Sequence, residues 1–154
     1  MLEPEVIKAE QEWAQEVVSN AKSILIRNKK VATGTLINSI RYTVDSKGDI
    51  VFLYSEDGKW VTQGRRKGAR FPPPAPISRW IRTKGITGVS KDGKRLTNDQ
   101  LTFLISRAIA RDGIKSLPFM KMAVKESIKK LAPKLAKVKA RAVVQRLKKE
   151  IGKP

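Results

Sequence analysis

The sequence predicts a small α+β domain. An antiparallel sheet is expected to be packed by N-terminal, central and C-terminal helices, and a long basic, proline-rich loop is expected between the strands and the later helices. Apolar residues recur at three- and four-residue steps near both ends of the chain. After the first of these segments apolar and polar residues alternate, and a run of prolines comes later. We expect residues 1–132 to form one α+β domain and residues 133–154 a basic C-terminal helical extension.

The first predicted helix runs from about Pro4 to Arg27. Proline suits the first turn of a helix, and the apolar residues of this segment repeat at helical spacing. Next, an alternating segment and a short apolar run lie on either side of a turn-rich stretch. This pattern predicts an antiparallel hairpin over residues 38–54, and we expect residues 60–62 to add a third strand.

Three further helices are predicted in the second half. Pro76 is expected in the first turn of a helix that stops at Gly85. Residues 97–100 form a capping-box pattern that opens a helix ending near Gly113. The last helix carries a narrow apolar seam made of Val124, Ile128, Leu131, Leu135, Val138 and Ala142. Pro133 lies inside this seam, so we expect it to kink or divide the helix.

The feature most distinctive of this chain is a basic stretch near its middle. Between Asp57 and Asp92 there are nine basic residues and no acidic one. We name residues 64–74 the basic loop and expect it to bind a partner. Its predicted contact residues are Gly64, Arg65, Arg66, Lys67, Gly68, Arg70, Phe71, Pro72, Pro73 and Pro74. The prolines lack an amide donor and predict an extended bridge.

Aromatic residues are expected to fix this loop to a core. Trp60 and Trp80 are predicted to anchor its two ends, and Phe119 is a third predicted core anchor; Trp13, Phe52 and Phe103 are also expected to face a core. Phe71 differs, because an exposed aromatic between arginines and prolines suits a partner contact. On the following helix, candidate contacts to DNA or to an acidic partner are Arg79, Arg82 and Lys84.

Composition argues against catalysis. The chain has no cysteine and no histidine, which removes disulfides, thiolate ligands and every mechanism that needs imidazole. The carboxylates of Asp45, Asp49, Glu56 and Asp57 lie in turn-like stretches, where aspartate is favoured for its backbone hydrogen bonds. The GRRKG run lacks a lysine followed by Ser or Thr at the spacing that a phosphate-binding loop requires. We therefore predict a protein that is not an enzyme and needs no metal or cofactor, with a small hydrolase as the least favoured alternative.

The net charge indicates the kind of partner. It is +19, from 33 Lys and Arg against 14 Asp and Glu, as expected for a protein that meets nucleic acid or an acidic protein surface. Residues 1–20 hold five Glu and one Lys, a net of −4, whereas residues 121–154 hold twelve Lys and Arg and two Glu, a net of +10. We expect the terminal helices to pack together with opposite charges along their rims. No apolar run approaches the roughly 20 residues of a membrane helix, and no signal peptide or membrane contact is expected.

The order of these elements resembles that of the tail-completion, or neck, proteins of tailed bacteriophages, small proteins that join into rings between the portal-bearing head and the tail. The matching pieces are Gly34-Thr35-Leu36 with Asn38-Ser39-Ile40, Trp60 to Gly64, the helix Ala75 to Gly85, the helix Phe103 to Ile109, and Gly113-Ile114-Lys115 with Pro118-Phe119. An N-terminal helix precedes these pieces and an apolar helix follows them, so the resemblance covers about residues 5–130. Two positions depart from the usual pattern: Gln63 replaces an acidic residue, and Met120-Lys121-Met122 replaces an arginine-proline pair.

The resemblance implies a virion structural protein without catalysis. It implies a homo-oligomeric ring in the virion neck or tail, assembled in the host cytoplasm, with portal or connector proteins and tail proteins as partners and transient contact with genomic DNA. The basic loop would then reach an adjacent subunit or the head connector. The alternative is a basic protein that contacts nucleic-acid phosphates without reading sequence, although no helix-turn-helix, zinc-finger or RNA-binding signature accompanies the charges.

Overall fold

A computed structural model describes residues 4–151, which form six helices and one two-stranded antiparallel sheet. The elements are α1 (Pro4–Arg27), α2 (Thr35–Ser39), β1 (Arg41–Val44), β2 (Ile50–Leu53), α3 (Asp57–Gln63), α4 (Pro74–Lys84), α5 (Asn98–Asp112) and α6 (Phe119–Ile151). The predicted α+β class is confirmed. The chain divides into two compact units. We name residues 4–28, 40–53 and 119–151 the terminal unit, and residues 29–39 and 54–118 the central unit.

The terminal unit is built on α1 and α6, which pack together as the sequence predicts. Three cross-helix contacts give their direction: Asn20 Nδ2 donates to Ser127 Oγ at 2.8 Å, Lys130 pairs with Glu16 at 2.7 Å, and Lys134 pairs with Glu12. Forward steps along α1 match backward steps along α6, so the helices are antiparallel. The side chains that α1 buries are Val6, Ala9, Ala14, Val17, Val18, Ala21, Ile24 and Leu25; those that α6 buries are Phe119, Ala123 and Ser127.

Opposite charges face each other along the rim of this helix pair, as predicted. The hydrogen bond from Lys134 lowers the pKa of the Glu12 carboxyl below its ordinary value, and the hydrogen bond to Glu16 raises the pKa of Lys130. All of these groups are in contact with solvent, where ion pairs contribute little and are screened by salt. The stability of the unit therefore comes mainly from the apolar side chains buried between the two helices, which do not include Ile128 of the predicted seam, 49% exposed.

Pro133 does not divide α6, which is helical from Phe119 to Ile151. The missing amide of a proline costs one intrahelical hydrogen bond, yet packing continues on its C-terminal side. Leu135, Val138 and Ala142 are half-buried, and Ala142 lines a cleft together with Pro4. Residues on both sides of the proline thus belong to the terminal unit.

The predicted hairpin is present, with Arg41 paired to Leu53 and Val44 to Ile50. Its turn is stabilised by Asp45, whose Oδ1 accepts backbone N–H groups at 2.8 and 2.9 Å. Phe52 of β2 meets Trp13 of α1 edge to face at 6.0 Å, so the sheet is packed by the N-terminal helix. Both aromatics are half-buried.

The predicted third strand is wrong, because residues 57–63 form the helix α3. Residues 35–39 precede β1 and share its alternating apolar pattern, but they also form a short helix. Three residues, of which two are apolar, fit a strand and a helix equally well. Packing against other residues decides between them: a Cβ added to Gly58 would lie 2.3 Å from the Tyr54 ring and 3.1 Å from Leu36, so this glycine lets α3 lie directly on both side chains.

The central unit packs α4 against α5 around Ile77, Ile81 and Leu101. The predicted capping box opens α5: Gln100 N donates to Thr97 Oγ1 at 3.2 Å, and Thr97 N donates to Gln100 Oε1 at 2.9 Å. Helix α4 begins at Pro74, earlier than predicted, because Pro73 already has the extended backbone of a cap. Pro74, predicted to lie in the extended bridge, is therefore helical. It stops at Gly85 in the left-handed conformation, as predicted.

Replacing the buried aromatic of α6 should destabilise the protein strongly. Phe119 is 0% exposed and Phe103 is 55% exposed. We expect Phe119→Ala to lower the free energy of unfolding by about 3–5 kcal/mol, measured by urea denaturation. The matched variant Phe103→Ala should cost less than about 1.5 kcal/mol, since it loses mainly an aromatic contact at the surface. Equal losses in the two variants would contradict the assigned core.

Candidate interaction surface

The first half of the basic loop is hydrogen-bonded to the chain that follows α5. Arg65 N donates to Ile114 O at 2.8 Å, and Ile114 N donates to Arg65 O at 2.9 Å, which makes an antiparallel β-bridge. Gly68 N donates to the carbonyl of Ala110 at 2.8 Å. Just before the loop, Val61 O accepts the amide of Leu117 at 3.0 Å. The loop is therefore held at its base within its own subunit.

Two glycines permit this close approach. Gly64 and Gly113 have φ values of 66° and 74°, a region that side-chain-bearing residues rarely adopt. A Cβ on Gly64 would lie 2.4 Å from the carbonyl oxygen of Ile114, and a Cβ on Gly113 would lie 2.4 Å from that of Arg65. Gly64, predicted as a partner contact, thus has a structural reason for being glycine.

The four basic side chains of the loop are not equivalent. Arg65 is half-buried; its Nη2 donates to the carbonyl of Arg70, and its Nε is buried with no hydrogen-bond partner among the described residues. Arg66, Lys67 and Arg70 are exposed. Arg65 therefore folds the loop back on itself, and the other three cations are presented to solvent.

The loop also presents an exposed aromatic ring, that of Phe71, the residue after Arg70. Phe71 and Phe103 meet edge to face with ring centroids 6.1 Å apart and an interplanar angle of 62°, and they are 53% and 55% exposed. The predicted exposure of Phe71 is confirmed, and the predicted core position of Phe103 is wrong. The sequence contained a signal for this: Phe103 lies two residues from Leu101 and two from Ile105, so a helix turns it to the face opposite theirs.

Two of the three predicted core anchors are also wrong. Trp60 is 63% exposed and Trp80 is 41% exposed, whereas Phe119 is fully buried as predicted. The prediction for Trp60 assumes a strand with one inward face. On the helix α3 the Trp60 ring points outward, and Lys59 Nζ lies 5.9 Å from the ring centroid. Trp80 lies on α4, whose buried residues are Ile77 and Ile81.

The candidate contacts on α4 belong to two different clefts. Arg79 and Arg82 line one of about 620 Å³ with Asp99 on its edge, and Arg82 Nη2 donates to Ser78 Oγ at 2.9 Å. Lys84 lines a second, more apolar groove. Its Nζ donates to the carbonyl of Val31. The predicted set therefore does not form one surface.

Within residues 4–151, no group of three or more Asp, Glu, His or Cys side chains lies close enough together to hold a metal ion. Over the same residues, none of the helices combines the length and apolar character needed to span a bilayer. The chemistry that the described surface offers is a set of exposed cations and aromatic rings.

Adding a methyl group at the loop's base should show how tightly it is held. We expect Gly64→Ala and Gly113→Ala each to destabilise the protein by more than the roughly 1 kcal/mol that a left-handed backbone costs an alanine, measured by urea denaturation. Gly68→Ala is the matched control, since Gly68 also has a positive φ, of 72°, but a Cβ there would meet nothing within 4 Å. Equal effects at all three positions would mean that the bridge is not closely packed.

The comparisons with known proteins add no relative to this picture. No protein-family model matches the chain, and no curated protein and no solved structure matches it. The residues of the basic loop and their contacts are therefore the basis for proposing a function.

Proposed function

We propose that this chain is a structural protein of a bacteriophage neck. In this proposal it forms an oligomeric ring that joins the head connector to the tail, and it performs no catalysis. The observation that carries the proposal is a loop that is fixed at its base and presents three exposed cations together with Phe71, whose exposed ring contacts that of Phe103. The order of elements that resembles neck proteins supplies the biological setting.

The composition of this surface supports a protein partner. Aromatic residues and arginine are enriched in protein interfaces, where a few large side chains provide most of the binding free energy. Phe71 and Phe103 offer area that is otherwise left to water, and Arg66, Lys67 and Arg70 offer charge. Because the loop is bonded to the end of α5, less conformational entropy is lost on binding.

In this proposal the surface contacts an adjacent subunit or the connector, as the likeness to neck proteins suggests. A head-to-tail contact between identical subunits closes into a ring when the rotation between copies allows it. The cations favour an acidic surface on the partner, since complementary charge steers association and excludes like-charged surfaces. In the assembled virion, the remaining positive charge would give the genome transient phosphate contacts.

A second candidate function rests on the same residues. Exposed aromatic rings beside cations also suit single-stranded nucleic acid, whose bases stack on aromatics while its phosphates contact Lys and Arg. The net charge of +19 agrees with this reading. The two candidates differ in what the loop residues are needed for: assembly in the first, and nucleic-acid affinity in the second.

Mass photometry of purified protein, alone and with connector and tail proteins, tests the proposal. We expect wild-type protein to form particles of one defined oligomeric mass, and the variant Phe71→Ala/Arg66→Ser/Lys67→Ser/Arg70→Ser to remain monomeric with an unchanged melting temperature. The matched control removes three exposed cations of another loop, Lys91→Ser/Lys94→Ser/Arg95→Ser, and should assemble normally.

A wild-type protein that stays monomeric under all these conditions would contradict the ring. Fluorescence anisotropy with single-stranded DNA over a range of salt tests the second candidate. Specific use of the loop predicts that log affinity falls with log salt with a slope of about −0.7 per phosphate contacted, and that the loop variant, but not the control, loses this binding. Normal assembly of the loop variant together with loss of DNA binding would favour the second candidate.

A further inference from the structure

An apolar groove of about 490 Å³ opens on the central unit. Helix α4 contributes Ile77 and Trp80, helix α5 contributes Ile105 and Ile109, and the segment of residues 29–32 closes one side. Ile77 is buried and Ile105 and Ile109 are half-buried, so these three form the floor, while Trp80 remains 41% exposed. The volume lies in the range of roughly 300–1,000 Å³ typical of binding pockets. None of the basic-loop residues lines this groove.

The rim of the groove is positively charged. Lys29, Lys30 and Lys84 line it, and no carboxylate does. Lys84 is held in place, since its Nζ donates to the carbonyl of Val31 on the opposite side. An occupant must therefore present apolar side chains to the floor and negative charge to the edges.

We propose that this groove binds an acidic amphipathic helix of another protein. Its apolar side chains, spaced three and four residues apart, would lie on Trp80 and the isoleucines, and its carboxylates would face the three lysines. Helices that bind in grooves use this arrangement. Trp80 is the expected anchor, because a large, partly exposed aromatic beside an apolar floor gains most from being covered.

Other occupants fit the groove less well. Nucleic acid would satisfy the lysines and leave the isoleucines without a contact. A flat lipid surface would not follow a concave site. Within residues 4–151, a second copy of this chain offers no suitable helix: its acidic segment is the first half of α1, where Val6, Ala9 and Ala14 are already buried and Ile7 is the apolar residue left exposed.

This inference goes beyond the proposed function. It involves a different set of residues and requires neither ring formation nor contact with DNA. A chain that never forms a ring would still have this groove, and a ring that assembles through the basic loop would leave its lining residues unused. The two proposals therefore fail or succeed in separate measurements.

Selection from a peptide library tests the groove. The immobilised full-length protein is screened against 16-residue helical peptides with fixed apolar residues at i, i+4, i+7 and i+11 and randomised flanking positions. We expect the enriched peptides to be net acidic and to bind more weakly as salt rises. Their affinity for Trp80→Ala should fall at least about tenfold. Their affinity for Lys29→Gly/Lys30→Glu should also fall, and this variant should fold, because Lys29 has a φ of 55° that glycine adopts readily.

Two control variants keep the result specific. Trp60→Ala removes another exposed tryptophan of the central unit, and Lys91→Glu/Lys94→Glu changes two exposed lysines outside the groove. Both should bind the enriched peptides within about twofold of wild type, a change well below the energetic effect of a hot-spot residue. The proposal is overturned if no peptide is enriched, if the enriched peptides are neutral or basic, or if Trp80→Ala binds them as wild type does.

Discussion

Arg65 and Ile114 exchange two backbone hydrogen bonds, and the position of the basic loop depends on them. The bonds join segments far apart in sequence. They form only because Gly64 and Gly113 bring no side chain into the space between these two segments. With its base fixed, the loop presents Phe71 beside Phe103 of α5. The candidate surface thus depends on the composition of the loop and also on the hydrogen bonds between Arg65 and Ile114 that hold it in place.

The charged residues of the two units have different surroundings. In the terminal unit, Glu12 and Glu16 of α1 are paired with lysines of α6, while the apolar seam between the helices provides most of the stability. In the central unit the cations of the basic loop and of the groove rim lack carboxylate partners within the described ion pairs. Arg66, Lys67 and Arg70 of the basic loop are therefore exposed to solvent, where an acidic partner or a polyanion would meet them.

Local rules predicted much of this fold. The limits of α1, the capping box at Thr97, the stop at Gly85 and the hairpin turn at Asp45 each depend on interactions within a few residues, so the sequence alone contained them. The errors have a common cause. Whether residues 60–62 form a strand or a helix, and whether Trp60 and Trp80 are covered, depends on packing between distant segments. The bridge at Arg65 and the groove beside Trp80 are non-local in the same sense, and the apolar pattern contained no sign of either.

Hydrogen exchange of the backbone amides measures most directly whether the candidate surface is held in place. Arg65, Gly68 and Ile114 donate the amides that fix the loop, whereas Arg66 lies between them on the exposed side. We predict that the amides of Arg65, Gly68 and Ile114 exchange at least about a hundredfold more slowly than in an unstructured peptide, because exchange requires local opening. The amide of Arg66 should exchange faster than all three. Exchange of Arg65, Gly68 and Ile114 at the rates of an unstructured peptide would show that the loop is free, and would contradict the preorganised surface on which the proposed function depends.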